Sequence, residues 1–449
     1  MSRLRYGFFV ALFGLFACSP SPGGTGGSGV SGIEYQRIHH ARGRASGAIQ
    51  HVVIIVQENR TVDNLFQFLP GANTQSWGTD SNGNTVNLAP QPLNVSFDPG
   101  HNHHDWLVAY AKGAMNGFNL ESCIGGCPTE AEYSYVPESD VTEYYTLAET
   151  YAFADDMFET DQGPSFDSHQ YLISGTSTVA DGSANRASEN PQMPTKRPTG
   201  GCDSPAGSLV TVITPQGSQP ASLRTFPCFS RQALMDEMDV AGVSWKYYQD
   251  LPTSGLLNAV DAISSIWSNK AEMSANVVTP PSEILTDIAN GNLASVVWVT
   301  PTKAASDHPK GTDGSGPSWV GSIVNAIGGS QYWNNTAIFI TWDDWGGWYD
   351  HVPPQVYNSF ELSFRVPLIV VSPYAKSGYV SHVQHEFGSI LKFTEETFGL
   401  PSLGTTDQRA DDLSDCFNFA QRPRHFQTIR TRHPARYFLT APSGGAIDD

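Results

Sequence analysis

The chain predicts an α/β fold built on a largely parallel sheet, on three observations. Continuous apolar runs at 51–56, 337–341 and 366–371 have the composition of strands buried on both faces. Segments with helical apolar spacing alternate with them, as in successive βαβ units. Polar clusters follow strands directly at 57–59, 301–308 and 343–351, so several strand ends share one edge, where open α/β sheets bind ligands.

Taken in order, the 51–56 strand runs into Gln57-Glu58-Asn59-Arg60, with helical spacing from Val62. Glu58 and Asn59 thus sit at a strand's carboxyl end, although alone the pair reads as an N-cap beside an exposed glutamate. Residues 70–100 form an irregular insert. In the following His101-Asn102-His103-His104 no two histidines have the i, i+4 spacing that shares a helix face, so at most one or two point inward. A helix is predicted over 141–153 and an extended lead over 154–158. The loop Asp161-Gln162-Gly163-Pro164-Ser165 then opens a helix whose apolar part starts near Ser168. Ser165 is thereby at or near a helix N-terminus, which favours an alkoxide or a phosphate; a serine after Gly-Pro is otherwise an ordinary N-cap.

Residues 180–230, rich in Pro, Gly, Ser and Thr, read as a loop excursion. Helices near 230–241 and 282–290 lead into strands at 243–248 and 295–300, the second followed by Ser306-Asp307-His308-Pro309. A helix over 319–327 precedes the 337–341 strand, and an amphipathic helix covers 387–398. The 337–341 strand ends on Asp343-Asp344-Trp345-Gly346-Gly347-Trp348-Tyr349-Asp350-His351-Val352-Pro353-Pro354. Two adjacent negative charges repel, which calls for a cation between them or a shared proton.

The formal charge of −19, from 44 acidic against 25 basic residues, argues against nucleic acid and against broad docking on anionic lipid. Arg3 and Arg5 precede an apolar run over 6–17 that suits a signal h-region and is short for a membrane span. The stretch ending at Cys18 resembles a bacterial lipoprotein signal, in which that cysteine is acylated; the bulk of Phe16 leaves ordinary cleavage open. The expected organisation is a signal peptide over 1–17, a flexible linker over 18–47 and one catalytic domain over 48–449. Its expected place is the periplasm or the cell surface, held by a lipid anchor or otherwise secreted. In an oxidising compartment Cys123 with Cys127 and Cys202 with Cys228 are the sequence-local pairings, with Cys416 a buried thiol; a zinc site at Cys123 and Cys127 lacks a nearby second pair of ligands.

The 51–64 stretch resembles the opening of the phosphoesterase family that includes bacterial phospholipases C and acid phosphatases. Asp98-Pro99-Gly100-His101, Gly163-Pro164-Ser165, Ser306-Asp307-His308-Pro309, the Asp343 to Pro354 stretch, Arg365-Val366-Pro367 and the 410–417 tail recur in the family's order. The resemblance covers about residues 50–425. It implies an alkaline-phosphatase-like three-layer α/β/α sandwich and metal-assisted hydrolysis of a phosphate ester. It would make Glu58, Asn59, Asp343 and Asp344 the ligands of one divalent ion (Mg, Mn, Ca or Zn), and Ser165 the nucleophile. His101, His308 and His351 would bind the phosphoryl group or move protons. The chain departs from the family in having Asp343-Asp344 for Asp-Glu, Ser168-His169 for Asn-Arg, and Phe387 where a late histidine is usual.

This chemistry is physically coherent: a cation lowers the pKa of the Ser165 hydroxyl, attack on phosphorus gives a phosphoseryl intermediate, and water hydrolyses it. Acid phosphatase and phospholipase C types both fit. The rival reading is a non-catalytic surface lipoprotein that keeps the fold to bind a ligand or partner.

Overall fold

The computed structural model describes residues 47–192, 200–251 and 255–441; the signal segment, Cys18 and the linker up to residue 46 lie outside the described residues. Its central sheet has eight strands: β1 (His51–Gln57), β2 (Ala152–Ala154), β3 (Trp245–Tyr248), β4 (Val277–Val278), β5 (Val296–Val299), β6 (Thr336–Trp342), β7 (Leu368–Val371) and β8 (Tyr379–Ser381). Their order is β4-β3-β5-β1-β6-β7-β2-β8. Only β7 opposes its neighbours; every other pairing is parallel. The strands β1, β5 and β6 at the middle are apolar and almost wholly buried, as parallel strands covered on both faces must be.

The covering layers include the helices α1 (Thr142–Thr150), α2 (Ser165–Ser174), α3 (Glu283–Asn290), α4 (Gly316–Gly328) and α5 (Phe387–Phe398). The period-2 alternation of strand side chains assigns them to faces. Ile54 is paired with both Trp298 and Phe339, so these three share a face. There Phe339 meets Phe393 of α5 edge-on at 5.0 Å, and the Trp298 indole donates to the Leu172 carbonyl of α2 at 3.2 Å. Trp342, three residues beyond Phe339, points to the other face and meets Tyr144 of α1 edge-on at 5.0 Å. Helices α1 and α4 pack together, α3 packs on α4, and α2 packs on α5. The result is the expected three-layer α/β/α sandwich.

Local boundaries differ from expectation where apolar residues fit two states. The helix predicted over 141–153 stops at Thr150, and Ala152-Phe153-Ala154 joins the sheet between β7 and β8. Helix α2 starts at Ser165 itself. Disulfides join Cys123 to Cys127 and Cys202 to Cys228, and Cys416 is a buried free thiol.

His351 lies in an ion network under the loop after β6. Its Nδ1 is 2.7 Å from Asp63 Oδ2 and its Nε2 is 3.2 Å from Asn73 Oδ1. Beside it the Arg365 guanidinium donates to both oxygens of Asp350, at 2.9 and 3.0 Å. Burial disfavours the imidazolium, but the Asp63 hydrogen bond and the Asp350 charge outweigh it and raise the His351 pKa. A raised folded-state pKa adds stability that is complete below the unfolded value and is lost as pH rises through the folded one. The variant His351→Gln should therefore lose about 1 kcal/mol of stability near pH ~6 and much less near pH ~9, read by urea denaturation; an equal loss at both would contradict a charged imidazole.

Candidate active site

The parallel register of β1 against β6 places Gln57 opposite Trp342, so the two polar segments that follow leave the sheet together. Asn59 turns at once, with φ of +59°, a left-handed conformation that asparagine tolerates better than most residues. Its N–H donates to Asp343 Oδ1 at 3.0 Å, which also accepts from the Asp344 N–H at 2.8 Å. Arg60 N–H donates to the Asp344 carbonyl at 3.0 Å. Gly346, at φ of +63°, completes this approach: a Cβ there would lie 2.4 Å from the Asn59 carbonyl oxygen. The two strand ends are thus laced together before any side chain reaches a ligand.

Helix α2 brings Ser165 to the same place. The Ser165 hydroxyl donates to Asp344 Oδ2 at 3.1 Å, and Asp344 Oδ1 accepts from the Gly346 N–H at 2.8 Å. One helical turn later His169 lies on the same face, its Nε2 3.3 Å from Glu58 Oε1 and 3.6 Å from Asp343 Oδ2. Glu58, His169 and Asp343 each offer a ligand atom within 4.8 Å of the others. His169 is absent from the sequence-based ligand set, although its i, i+4 spacing from Ser165 was the signal that could have found it.

Negative charge dominates the surroundings. Glu58, Asp343, Asp344, Glu159 and Asp161 are all buried. The Ser168 hydroxyl, also on α2, lies 3.3 Å from Glu159 Oε1 and 3.5 Å from Asp161 Oδ2, with one proton to donate between them. Burial first, then the Asp161 and Asp344 charges, push the Glu159 carboxyl well above the ordinary range; burial and Asp344 do the same to Asp161. Sequence reasoning missed both acids, because only the fold sets the loop before α2 against the end of β6.

The residues fit a divalent ion. Carboxylate oxygens and one imidazole nitrogen are donors suited to Mn or Zn and tolerated by Mg. The side-chain oxygen of Asn59 is buried without a hydrogen-bond partner, because the other end of the amide donates to His101 Nε2 at 3.1 Å. Asp344, as described above, engages Ser165 and Gly346. Glu58, Asp343 and His169 are therefore the candidate ligand cluster, and Asn59 and Asp344 adjoin it.

Two of the three expected histidines lie together. His101 is held by its Nδ1 against the Pro99 carbonyl at 2.9 Å, which leaves Nε2 as the acceptor for Asn59 in the neutral ring. The His308 ring lies 6.1 Å away, its Nδ1 2.6 Å from the Pro309 carbonyl. The His308 loop is fixed by its neighbour: the Asp307 carboxylate accepts from the Tyr144 hydroxyl at 2.8 Å and the Trp342 indole at 2.9 Å, and its carbonyl accepts from Arg60. Burial raises the Asp307 pKa to about 6 despite Arg60. His351 is instead engaged at both ring nitrogens by Asp63 and Asn73. The first N–H groups of α2 are also engaged, Phe166 donating to Asn190 Oδ1 at 3.0 Å and Asp167 to the Pro164 carbonyl at 3.0 Å.

Residues 49–401 match the phosphoesterase family. Phospholipase C A of Mycobacterium tuberculosis is 25% identical, over 84% of this chain and 78% of that protein. Non-hemolytic phospholipase C of Burkholderia pseudomallei is 24% identical, over 86% of this chain and 63% of that protein. Non-specific phospholipase C1 of Arabidopsis thaliana is 22% identical, over 85% of this chain and 73% of that protein. The chain belongs to the phosphoesterase family and is a phosphoric ester hydrolase.

Proposed function

We propose that the chain hydrolyses phosphate esters with a divalent ion and with Ser165 as nucleophile, and that its substrates include diesters of the phospholipase C type. The observation that carries this reading is the buried Ser165 hydroxyl, at the first position of a ten-residue helix and hydrogen-bonded to Asp344 at 3.1 Å. Asp344 holds the hydroxyl hydrogen and aims the oxygen lone pairs into the site. The positive end of α2 favours the alkoxide that develops as Ser165 Oγ bonds to phosphorus. As that bond forms the Ser165 proton passes to Asp344 Oδ2 and the ester oxygen departs in line. A doubly protonated His308, whose Nδ1–H is donated to the Pro309 carbonyl, would give that oxygen the proton of Nε2. Water then cleaves the phosphoserine and regenerates the hydroxyl. A cation held by Glu58, Asp343 and His169, with the Asn59 oxygen beside it, would supply positive charge that neutralises the phosphoryl oxygens and acidifies the serine.

Names of the related phospholipases C favour diesters, while the acidic net charge favours soluble esters over an anionic membrane surface. The non-catalytic alternative loses its basis with the family assignment. Replacing Ser165 by Ala should lower kcat on p-nitrophenyl phosphate or on its choline diester by about a thousandfold or more; undiminished hydrolysis would refute the nucleophile.

Export with acylation at Cys18 belongs to the same proposal, supported by Arg3, Arg5 and the apolar run before the cysteine. In a bacterial host labelled with palmitate, the wild-type chain should take up label and Cys18→Ser should not. Equal labelling of the two, or none in either, would point to plain secretion or another anchor.

A further inference from the structure

The excursion over 180–230 plays no part in the chemistry derived above, yet it forms one wall of a cleft beside Ser165. Its described residues are held by pairing: Arg186–Ala187 runs antiparallel to Val212–Ile213, Gln192 bridges to Leu209, and the Ser188 N–H donates to the Thr211 carbonyl at 3.0 Å. The Cys202–Cys228 disulfide closes the excursion. Asn190 ties it to the catalytic helix by accepting from the Phe166 N–H at 3.0 Å. Facing this wall are His101 and Pro164, and the cleft between them has a cavity volume of about 430 Å³. That is within the usual range for small-ligand pockets, roughly 300–1,000 Å³.

The lining is unusual in its chemistry. Glu189, Gln192, Thr211, Gln219 and Arg224 supply hydrogen-bond acceptors and donors in a mixed array, and Asn102 adds an amide from the opposite side. They are already linked: Gln219 Nε2 donates to Glu189 Oε1 at 3.2 Å and to Ser188 Oγ at 3.0 Å, and Arg224 donates to Gln192 Oε1 at 3.2 Å. None of the described lining residues is Trp, Tyr or Phe, so the cleft lacks the aromatic faces on which a quaternary ammonium binds. An acyl chain laid there would strip water from these amides and charges without replacing their hydrogen bonds, which is unfavourable for each group. Clustered hydroxyls would answer both donors and acceptors.

We propose that this cleft receives the alcohol portion of the phosphate ester and that the alcohol is a polyol or sugar, with Gln219, Arg224 and Thr211 as specificity-determining residues. The inference rests on phosphoryl transfer at Ser165, which places phosphorus at the His101 end of the cleft. An inositol or sugar ring, rather than a glycerol, then extends toward the excursion, whether it leaves or stays on phosphorus.

The test compares myo-inositol 1-phosphate with phosphocholine, and glycerophosphoinositol with glycerophosphocholine, alongside p-nitrophenyl phosphate, using the full chain with divalent ion. The wild type should favour the inositol member of whichever pair it hydrolyses by about tenfold or more in kcat/KM, the discrimination expected of a site that hydrogen-bonds hydroxyls. In Gln219→Leu and Arg224→Leu, both at exposed positions where folding is insensitive to the change, that ratio should fall toward one. Equal or better use of the choline esters, or a ratio unmoved in both variants, would overturn the inference. Hydrolysis of p-nitrophenyl phosphate without any inositol preference would sink it and leave the Ser165 reading intact. A wild type inert on every ester would remove that reading and the inference together.

Discussion

The structure depends on accommodating several carboxylates in one buried place. Glu58, Asp343, Asp344, Glu159 and Asp161 are buried within reach of one another's charges, and the imidazole of His169 reaches Glu58 at 3.3 Å and Asp343 at 3.6 Å. Burying a charge without a partner is far costlier than any hydrogen bond in the loop can offset. Backbone N–H groups of Asn59, Asp344 and Gly346 relieve part of it. Raised pKa values at Glu159 and Asp161 relieve another part, by favouring their neutral forms. On the proposed reading, a divalent ion held by Glu58, Asp343 and His169 would relieve what is left, and its charge would then serve against a phosphoryl group.

The fold serves that concentration of charge. Parallel pairing of β1 and β6 delivers two polar segments side by side, and Asn59 and Gly346 take positive φ so that the loops cross in contact. Helix α2 presents three polar residues to the cluster: Ser165 at its first position, and Ser168 and His169 within the next turn. The face of β6 opposite α5 holds Trp342, whose indole anchors Asp307 and so steadies the loop of His308. Packing on one side of the sheet and chemistry at its end are therefore joined through single residues.

Much of this was legible in the sequence, and the limits have physical causes. Long apolar runs such as 51–56 and 337–341 admit only a buried strand, and the 387–398 helix was read to the residue because its periodicity is strong. Ala152 and Phe153 fall in a strand rather than the expected helix because a short apolar segment satisfies both states until β7 pairs with it. Glu58, Asn59, Asp343 and Asp344 could be grouped because each follows a strand. Glu159 and Asp161 could not, since their meeting with Asp344 is set by tertiary docking alone. His169 was visible in principle at one turn from Ser165, but it was weighed only as a departure from a family pattern. The role the resemblance implies for His351 could not show its surroundings, since its contacts with Asp63 and Asn73 are set by the fold.

The central claim, that a cation neutralises this buried cluster, is tested most directly by metal content measured together with thermal stability. Wild-type protein purified without chelator should carry about one divalent ion per chain, and chelation should lower its melting temperature by several degrees, roughly the shift that ligand loss produces in a single domain. Asp343→Asn should carry little metal and show no response to chelator. The account would be contradicted by a wild type that binds no ion and an Asp343→Asn variant that melts higher than it, since a buried charge left without a cation is relieved by its removal.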